Sequence, residues 1–308
     1  MRPSDDKFMR LALNLALKGQ GKTSPNPMVG AVVVKNGKIV GQGYHRRYGL
    51  THAEVNALKD AGNETKGATL YINLEPCCYF GKTPPCTDAI IQAGIKRVVC
   101  ALPDPNPQVR GKGFRKLIEN GIGVDVGTLK DEASKLNEIY LKFVKNKIPF
   151  IALTLVQTLN GKLVTLSGDS RNSIPEKTGK ILKNLKLPSD AVLTKRGLEF
   201  NSKSGKPPEK SWRPRNGPKG LISLLQRAGE NNLTSVLVQG GKENFTCLMK
   251  NRLVDKIYYL ISARISFKGD EPFCDLGISK ISHSIYLKNR EIVNFGDHIL
   301  IVGYPVWR

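Results

Sequence analysis

The sequence predicts an α/β protein of two domains, residues 1–147 and 148–308, the first of them an α/β/α sandwich. Three observations carry this. Short runs rich in Val, Ile and Leu, such as 31–34 and 97–101, alternate with segments of helical periodicity, the order that layers helices on a largely parallel sheet. An amphipathic helix over 131–143 then gives way to an apolar run, 149–156, that reads as the first strand of a new core. Finally, 308 residues suffice for two cores of ordinary size.

Taken in order, residues 5–18 place apolar side chains at 8, 9, 11, 12, 13, 15, 16 and 17, a largely buried helix. Ser4, Asp5 and Asp6 open it as cap and first-turn acids, and Gly19 and Gly21 close it. The run S-P-N-P-M-V-G at 24–30 is a stiff loop into a strand over 31–34. Asn36-Gly37 is the hairpin signal that joins it to a strand over 39–43. His52 opens a helix to about residue 61. The β-rich run 68–74 is a central strand delivering Glu75-Pro76-Cys77 at its C-terminal end, where α/β sheets place ligands. Cys86 starts the next helix, to about 93, and a strand over 97–101 runs into D-P-N-P-Q-V at 104–109. A helix over 113–120 and a short strand near Val124 complete the sandwich.

Composition narrows the class. No run of about 18 apolar residues exists, so no membrane helix is expected. The start lacks an apolar signal core and carries acids early, against a presequence. Six cysteines, at 77, 78, 86, 100, 247 and 274, form no paired framework, which fits a reducing cytoplasm. The net charge of +22 invites a nucleic-acid partner, but its distribution argues against one. Residues 1–147 hold 23 Lys+Arg against 13 Asp+Glu, and residues 148–308 hold 25 against 13, with no basic tail or aromatic-interleaved stripe. Such a field would suit a phosphorylated substrate.

The chemistry concentrates between His52 and Cys86. There T-H-A-E at 51–54 is followed by L-E-P-C-C-Y-F-G-K-T-P-P-C at 74–86. A His-x-Glu with two later Pro-Cys pairs is the pattern of a zinc-dependent deaminase of nucleobase-like rings. Zinc takes thiolates and imidazole, and a catalytic site keeps three protein ligands and one open position. His52, Cys77 and Cys86 are the expected ligands, and Glu54 the general acid/base. Three ligands rather than four, and an acid at the required offset, separate this from a structural zinc site. The helix N-termini expected at His52 and Cys86 favour thiolate.

Together S-P-N-P-x-V-G (24–30), G-x-G-x-H (41–45), H-A-E (52–54), E-P-C (75–77), G-K-T-P-P-C (81–86) and D-P-N-P-Q-V (104–109) resemble the riboflavin-biosynthesis deaminase/reductase family, RibD. The resemblance covers residues 5–147 and implies a cytidine-deaminase-like sandwich. Eight residues separate Cys77 from Cys86, where tRNA-adenosine and cytosine deaminases have two, which favours the pyrimidine branch. The implied reaction is hydrolytic deamination of 2,5-diamino-6-ribosylamino-4(3H)-pyrimidinone 5′-phosphate, with Glu54 moving the water's proton to the ring nitrogen and departing ammonia. The resemblance also implies that Asn26 and His45 hold the base, and that Lys82, Asp104 and Asn106 contact the ribose phosphate. It further implies a homo-oligomer. The family pattern P-C-S-H after the first ligand reads Cys77-Cys78-Tyr79 here, so Tyr79 takes a histidine's place near the substrate.

The second half resembles the family's dihydrofolate-reductase-like, NADPH-dependent reductase in T-L-N-G-K (158–162), S-G-D-S (167–170) and V-Q-G-G (238–241), and in strands over 149–156, 253–261 and 298–303. Asn160, Ser170, Gln239, Gly240 and Gly241 are the implied site, Gly-Gly between strand and helix suiting a pyrophosphate. Here the pattern is broken. Asn172-Ser173-Ile174 stands for Trp-Ile-Thr, an Asp-Asp-Pro segment after 191–194 is missing, and a Gly/Pro/Lys-rich loop fills 201–220. Gln239 replaces an acid and Asn160 an aspartate. The domain reads as truncated, with at least one βαβ unit lost, and the expectation is a working deaminase beside an impaired reductase. The competing readings are a tRNA-editing deaminase, favoured by charge alone, and a deaminase whose second domain is only structural.

Overall fold

The computed structural model describes residues 3–164, 189–194, 197–200, 212, 217–239, 241–266 and 269–307. The chain forms two compact units, Met1–Lys147 and Ile148–Arg308. The first contains helix α1 (Pro3–Leu17), strands β1 (Gly30–Lys35) and β2 (Lys38–Tyr44), α2 (Ala53–Ala61), β3 (Thr69–Ile72), α3 (Cys86–Gln92), β4 (Arg97–Cys100), α4 (Lys112–Glu119), β5 (Gly123–Val126), α5 (Lys130–Leu136) and α6 (Glu138–Asn146). Its sheet has the order β2-β1-β3-β4-β5, with β1 antiparallel to β2 and β3, and β3, β4 and β5 parallel.

Strand periodicity explains the three layers. Ala31, Val33, Leu70, Ile72, Val98 and Cys100 point into the core built with α2, while Val32, Val34, Tyr71 and Val99 point into the core built with α1. Strands β1, β3 and β4 thus bury both faces. The hairpin turns on Asn36 and Gly37, both with positive φ, as a tight turn between right-twisted strands requires. Asp5 is more than a first-turn acid. It is buried, receives two guanidinium bonds from Arg97 at 2.9 and 3.0 Å and one from the Tyr71 hydroxyl at 2.8 Å, and so ties α1 to the sheet.

The glycines of G-x-G-x-H have a packing reason. A Cβ on Gly41 would lie 2.4 Å from the Ala57 carbonyl oxygen, and one on Gly43 2.4 Å from the Ala57 nitrogen. Helix α2 therefore lies directly on the β2 backbone, which sets the position of His52 and Glu54 at its start. One expectation fails here. The helix over 131–143 is two helices, broken at Asn137, whose side chain is drawn away to the backbone of Met28.

The second unit holds β6 (Phe150–Thr158), β7 (Ala191–Thr194), β8 (Gly197–Phe200), α7 (Gly217–Glu230), β9 (Ser235–Val238), α8 (Lys242–Lys250), β10 (Lys256–Ser262), β11 (Tyr286–Phe295) and β12 (His298–Val306) among the described residues. Its sheet runs β11-β12-β10-β6-β9-β7-β8. The central strands β10, β6, β9 and β7 are parallel, and β6 is buried almost throughout. Residues 201–220 do not form a loop to their end, since Gly217–Gly220 open α7. Trp212 is buried edge-on against Phe200, with the Arg227 guanidinium 4.3 Å from its ring centre. The motif at 167–170 with Ser170, the departure at 172–174 and most of 201–216 lie outside the described residues, as does Gly240. Strand β11 has no counterpart in the sequence-based expectation. Both its faces are largely exposed, so it shows no alternation of apolar and polar residues.

Candidate active site

Parallel pairing of β3 and β4 brings the loops after both strands to one edge of the first sheet. The first carries Glu75, Cys77 and Lys82, the second Asp104 and Asn106. His52 sits at the N-cap of α2 and Cys86 is the first residue of α3. One ligand atom from each of His52, Cys77 and Cys86 lies within 4.8 Å of the others. His52 Nδ1 faces Cys86 Sγ at 3.2 Å and Cys77 Sγ at 3.6 Å, while its Nε2 meets the Thr83 hydroxyl at 3.4 Å. The ring thus turns one nitrogen to the thiols and anchors the other, as a metal-ligating histidine does. The Cys86 amide donates to Cys77 Sγ at 3.4 Å. The hydrogen bond from the Cys86 thiol, with the His52 ring beside it, brings Cys77 down to about 4, and donating that proton raises Cys86. One imidazole and one thiol at helix starts, with a second thiol in the loop after β3 that already favours thiolate, fit zinc.

Glu54 follows two residues on, at 4% exposure. Burial pushes its carboxyl up to about 7, partly offset by the nearby His52, which suits a group that must both take and give a proton near neutrality. The His45 ring stands edge-on to His52 at 5.3 Å. Burial lowers the pKa of His45, favouring the neutral ring. Its Nδ1 donates to the Thr51 carbonyl and its Nε2 accepts from Asn26 Nδ2, both at 3.2 Å. This network commits the Asn26 side-chain N–H to His45 and turns its acceptor oxygen to other partners.

The second loop is organised by Glu75, whose carboxylate receives the amides of Asp104, Gly111, Gly113 and Phe114 at 3.0–3.3 Å. Asp104 accepts the Asn106 amide at 2.9 Å and, on both oxygens, the Tyr140 hydroxyl at 3.0 Å. Burial raises Asp104 to about 6. Burial raises the Tyr79 hydroxyl, and the nearby Asn106 side chain partly offsets that rise. Lys82 is exposed, its ammonium 4.1 Å from the Tyr48 ring centre. No described contact joins it to Asp104 or Asn106.

The family description "Cytidine and deoxycytidylate deaminase zinc-binding region" matches residues 2–102. The diaminohydroxyphosphoribosylamino-pyrimidine deaminase of Buchnera aphidicola subsp. Schizaphis graminum is 51% identical over 145 residues, 47% of this chain and 99% of that one. A Thermotoga maritima diaminohydroxyphosphoribosylaminopyrimidine deaminase/5-amino-6-(5-phosphoribosylamino)uracil reductase superposes with a TM-score of 0.80 at 32% identity, covering 98% of this chain and 99% of that one. The chain belongs to the RibD family. The riboflavin biosynthesis protein RibD of Aquifex aeolicus is 54% identical over 193 residues, 63% of this chain but only 54% of that one, so the chain spans about half the length of such RibD relatives. At 193 residues the match outruns the first unit and enters the second.

Within the RibD framework the second unit places its candidate residues differently. Asn160 is exposed and its amide is engaged by the fold: Nδ2 donates to the Ser266 carbonyl at 2.7 Å, and Oδ1 accepts the Ser266 amide at 3.1 Å and the Thr158 hydroxyl at 2.8 Å. A cavity of about 470 Å³ opens beside it, lined also by Gln157, Lys162, Glu271, Phe273 and Cys274. Gln239 and Gly241 do not line that cavity. Gln239 follows the end of β9, and Gly241 at φ 84° is the N-cap of α8. In the first unit, sequence reasoning gave no role to Asn73, Glu75, Thr83, Asn137 or Tyr140. Glu75 stands inside a quoted motif and Asn137 and Tyr140 inside N-E-I-Y, but their partners are remote in sequence.

Proposed function

We propose that the first unit is a zinc-dependent hydrolytic deaminase of riboflavin biosynthesis. It converts 2,5-diamino-6-ribosylamino-4(3H)-pyrimidinone 5′-phosphate into 5-amino-6-(5-phosphoribosylamino)uracil. The observation that carries this reading is the trio His52, Cys77 and Cys86 within 4.8 Å, with the buried carboxyl of Glu54 two residues from the histidine. When bound, zinc supplies the Lewis acidity that makes water nucleophilic at neutral pH. Glu54 carries one proton of the attacking water to the ring nitrogen and then the second, from the hydroxyl now on the ring carbon, to the amine, which leaves as ammonia while the ring carbon keeps oxygen. Asn26, held by neutral His45, presents its oxygen to the ring. Asp104 and Asn106 meet the ribosyl group, and Lys82 supplies positive charge for the phosphate.

For the second unit the substrate-level reading is NADPH-dependent reduction of the ribosyl group, with competence reduced. Gly241 at a helix N-cap suits a pyrophosphate, but Asn160 is committed to Ser266 and Gln239 brings no charge. The test is product mass after incubating the zinc-loaded chain with the diaminopyrimidinone phosphate, with and without NADPH. A gain of about one mass unit in both, from NH replaced by O, supports both clauses. A further gain of two hydrogens with NADPH that keeps pace with deamination overturns the second clause. An unchanged mass overturns the first.

A further inference from the structure

We infer that Tyr140 and Asn137, one turn apart at the start of α6, are positioning residues that fix the two substrate loops of the deaminase site. The inference rests on the deaminase reading above. Asn137 is 2% exposed and pairs with both backbone groups of Met28, accepting its N–H and donating to its C=O, each at 2.9 Å. Met28 lies two residues from Asn26. From the other side Asn73 donates to the same carbonyl at 2.9 Å and accepts the Gly30 amide at 2.9 Å. The segment carrying Asn26 is thereby clamped between the end of β3 and the start of α6, which lets Asn26 keep its bond to His45.

Tyr140 acts on the second loop. Its hydroxyl sits 3.0 Å from each carboxylate oxygen of Asp104, a group at 6% exposure. Burial disfavours the charged form of a carboxylate, and a donor centred on both oxygens opposes that while fixing their plane. Tyr140 therefore holds Asp104 as an oriented acceptor for the ribosyl hydroxyls. Its ring packing does not depend on the hydroxyl. Two side chains separated by three positions thus set the base end and the sugar end of one site.

The test compares the unaltered zinc-loaded chain with Tyr140→Phe, Asp104→Ala and the double variant, by KM and kcat for the diaminopyrimidinone phosphate and by zinc content. Tyr140→Phe is expected to raise KM about tenfold at unchanged kcat and zinc content, and to add nothing in the Asp104→Ala background. Asn137→Asp, which keeps the acceptor for the Met28 amide and loses the donor, is expected to raise KM in the same manner and not to add to Asn26→Ala. Normal turnover with an unchanged KM in Tyr140→Phe, or full additivity with Asp104→Ala, overturns the inference alone. Absence of turnover by the unaltered chain overturns the deaminase reading and this inference with it.

Discussion

In the first unit Asn26 donates to His45, His45 to the Thr51 carbonyl, and Thr83 meets the back of His52, so polar side chains hold one another and leave ligand-type atoms for a guest. In the second unit Asn160 directs its side-chain amide to Ser266 and Thr158, and the Gln239 backbone N–H donates to the Leu193 carbonyl. A site differs from a loop in where its hydrogen-bonding capacity is directed. Polar groups in the first unit hold one another around the His52, Cys77 and Cys86 trio, as a preorganised site requires, whereas those named in the second are engaged in holding the chain together.

The sharpest way to break this contrast is at Glu54. Glu54→Gln keeps shape and burial but removes the proton carrier, so deamination should fall by about 10²- to 10⁴-fold with zinc content unchanged. Ammonia release reads the effect. A variant that retains most of its activity would move the proton chemistry to another group and leave the first site no more committed than the second. Thr83→Val sharpens the contrast at a smaller scale. It removes the hydroxyl facing His52 Nε2 and should weaken zinc about 10- to 100-fold in competition with a chelator. Unchanged zinc affinity would mean that the His52 ring is held by the thiols and helix α2 alone.

What could be read from the sequence tracks how local the physics is. His52 and Glu54 fall within one helical turn, and Pro-Cys occurs twice, so type and spacing alone state the chemistry. Asn36-Gly37 likewise declares its turn. Asn137 could not be read this way, because its partner Met28 is 109 residues away and the amphipathic pattern runs straight through the break it makes. Glu75 stands two positions before a ligand, yet it serves as the hub for four amides of a loop that begins 29 residues later. Tyr140 resembles any half-buried helix residue until Asp104 is placed against it. In the second unit, β11 escaped because a strand exposed on both faces carries no alternation.

A pH profile probes the sugar end of the first site. Burial, helped by nearby Glu75 and Cys77, raises Asp104 to about 6 against the opposing Asn106 amide and Tyr140 hydroxyl. Ionised Asp104 is the form that accepts ribosyl hydroxyls. KM should therefore rise as pH falls below about 6, and the limb should move to higher pH in Tyr140→Phe, since losing a donor to the charged form raises the pKa. A KM that stays flat between about pH 5 and 8 would remove Asp104 from the substrate contacts.

The smallest expected effect lies in the second unit. Asn160→Ala deletes the bridge to Ser266, two hydrogen bonds at an exposed position, and should lower the stability of that unit by about 1 kcal/mol. Deamination and NADPH affinity should stay as they are, because the amide serves the fold. Denaturant unfolding and NADPH titration of the same variant separate the two roles. Unaltered stability with a tenfold loss of NADPH affinity would show that Asn160 faces a ligand despite its bonds to Ser266, and the two units would then differ in degree of occupation rather than in purpose.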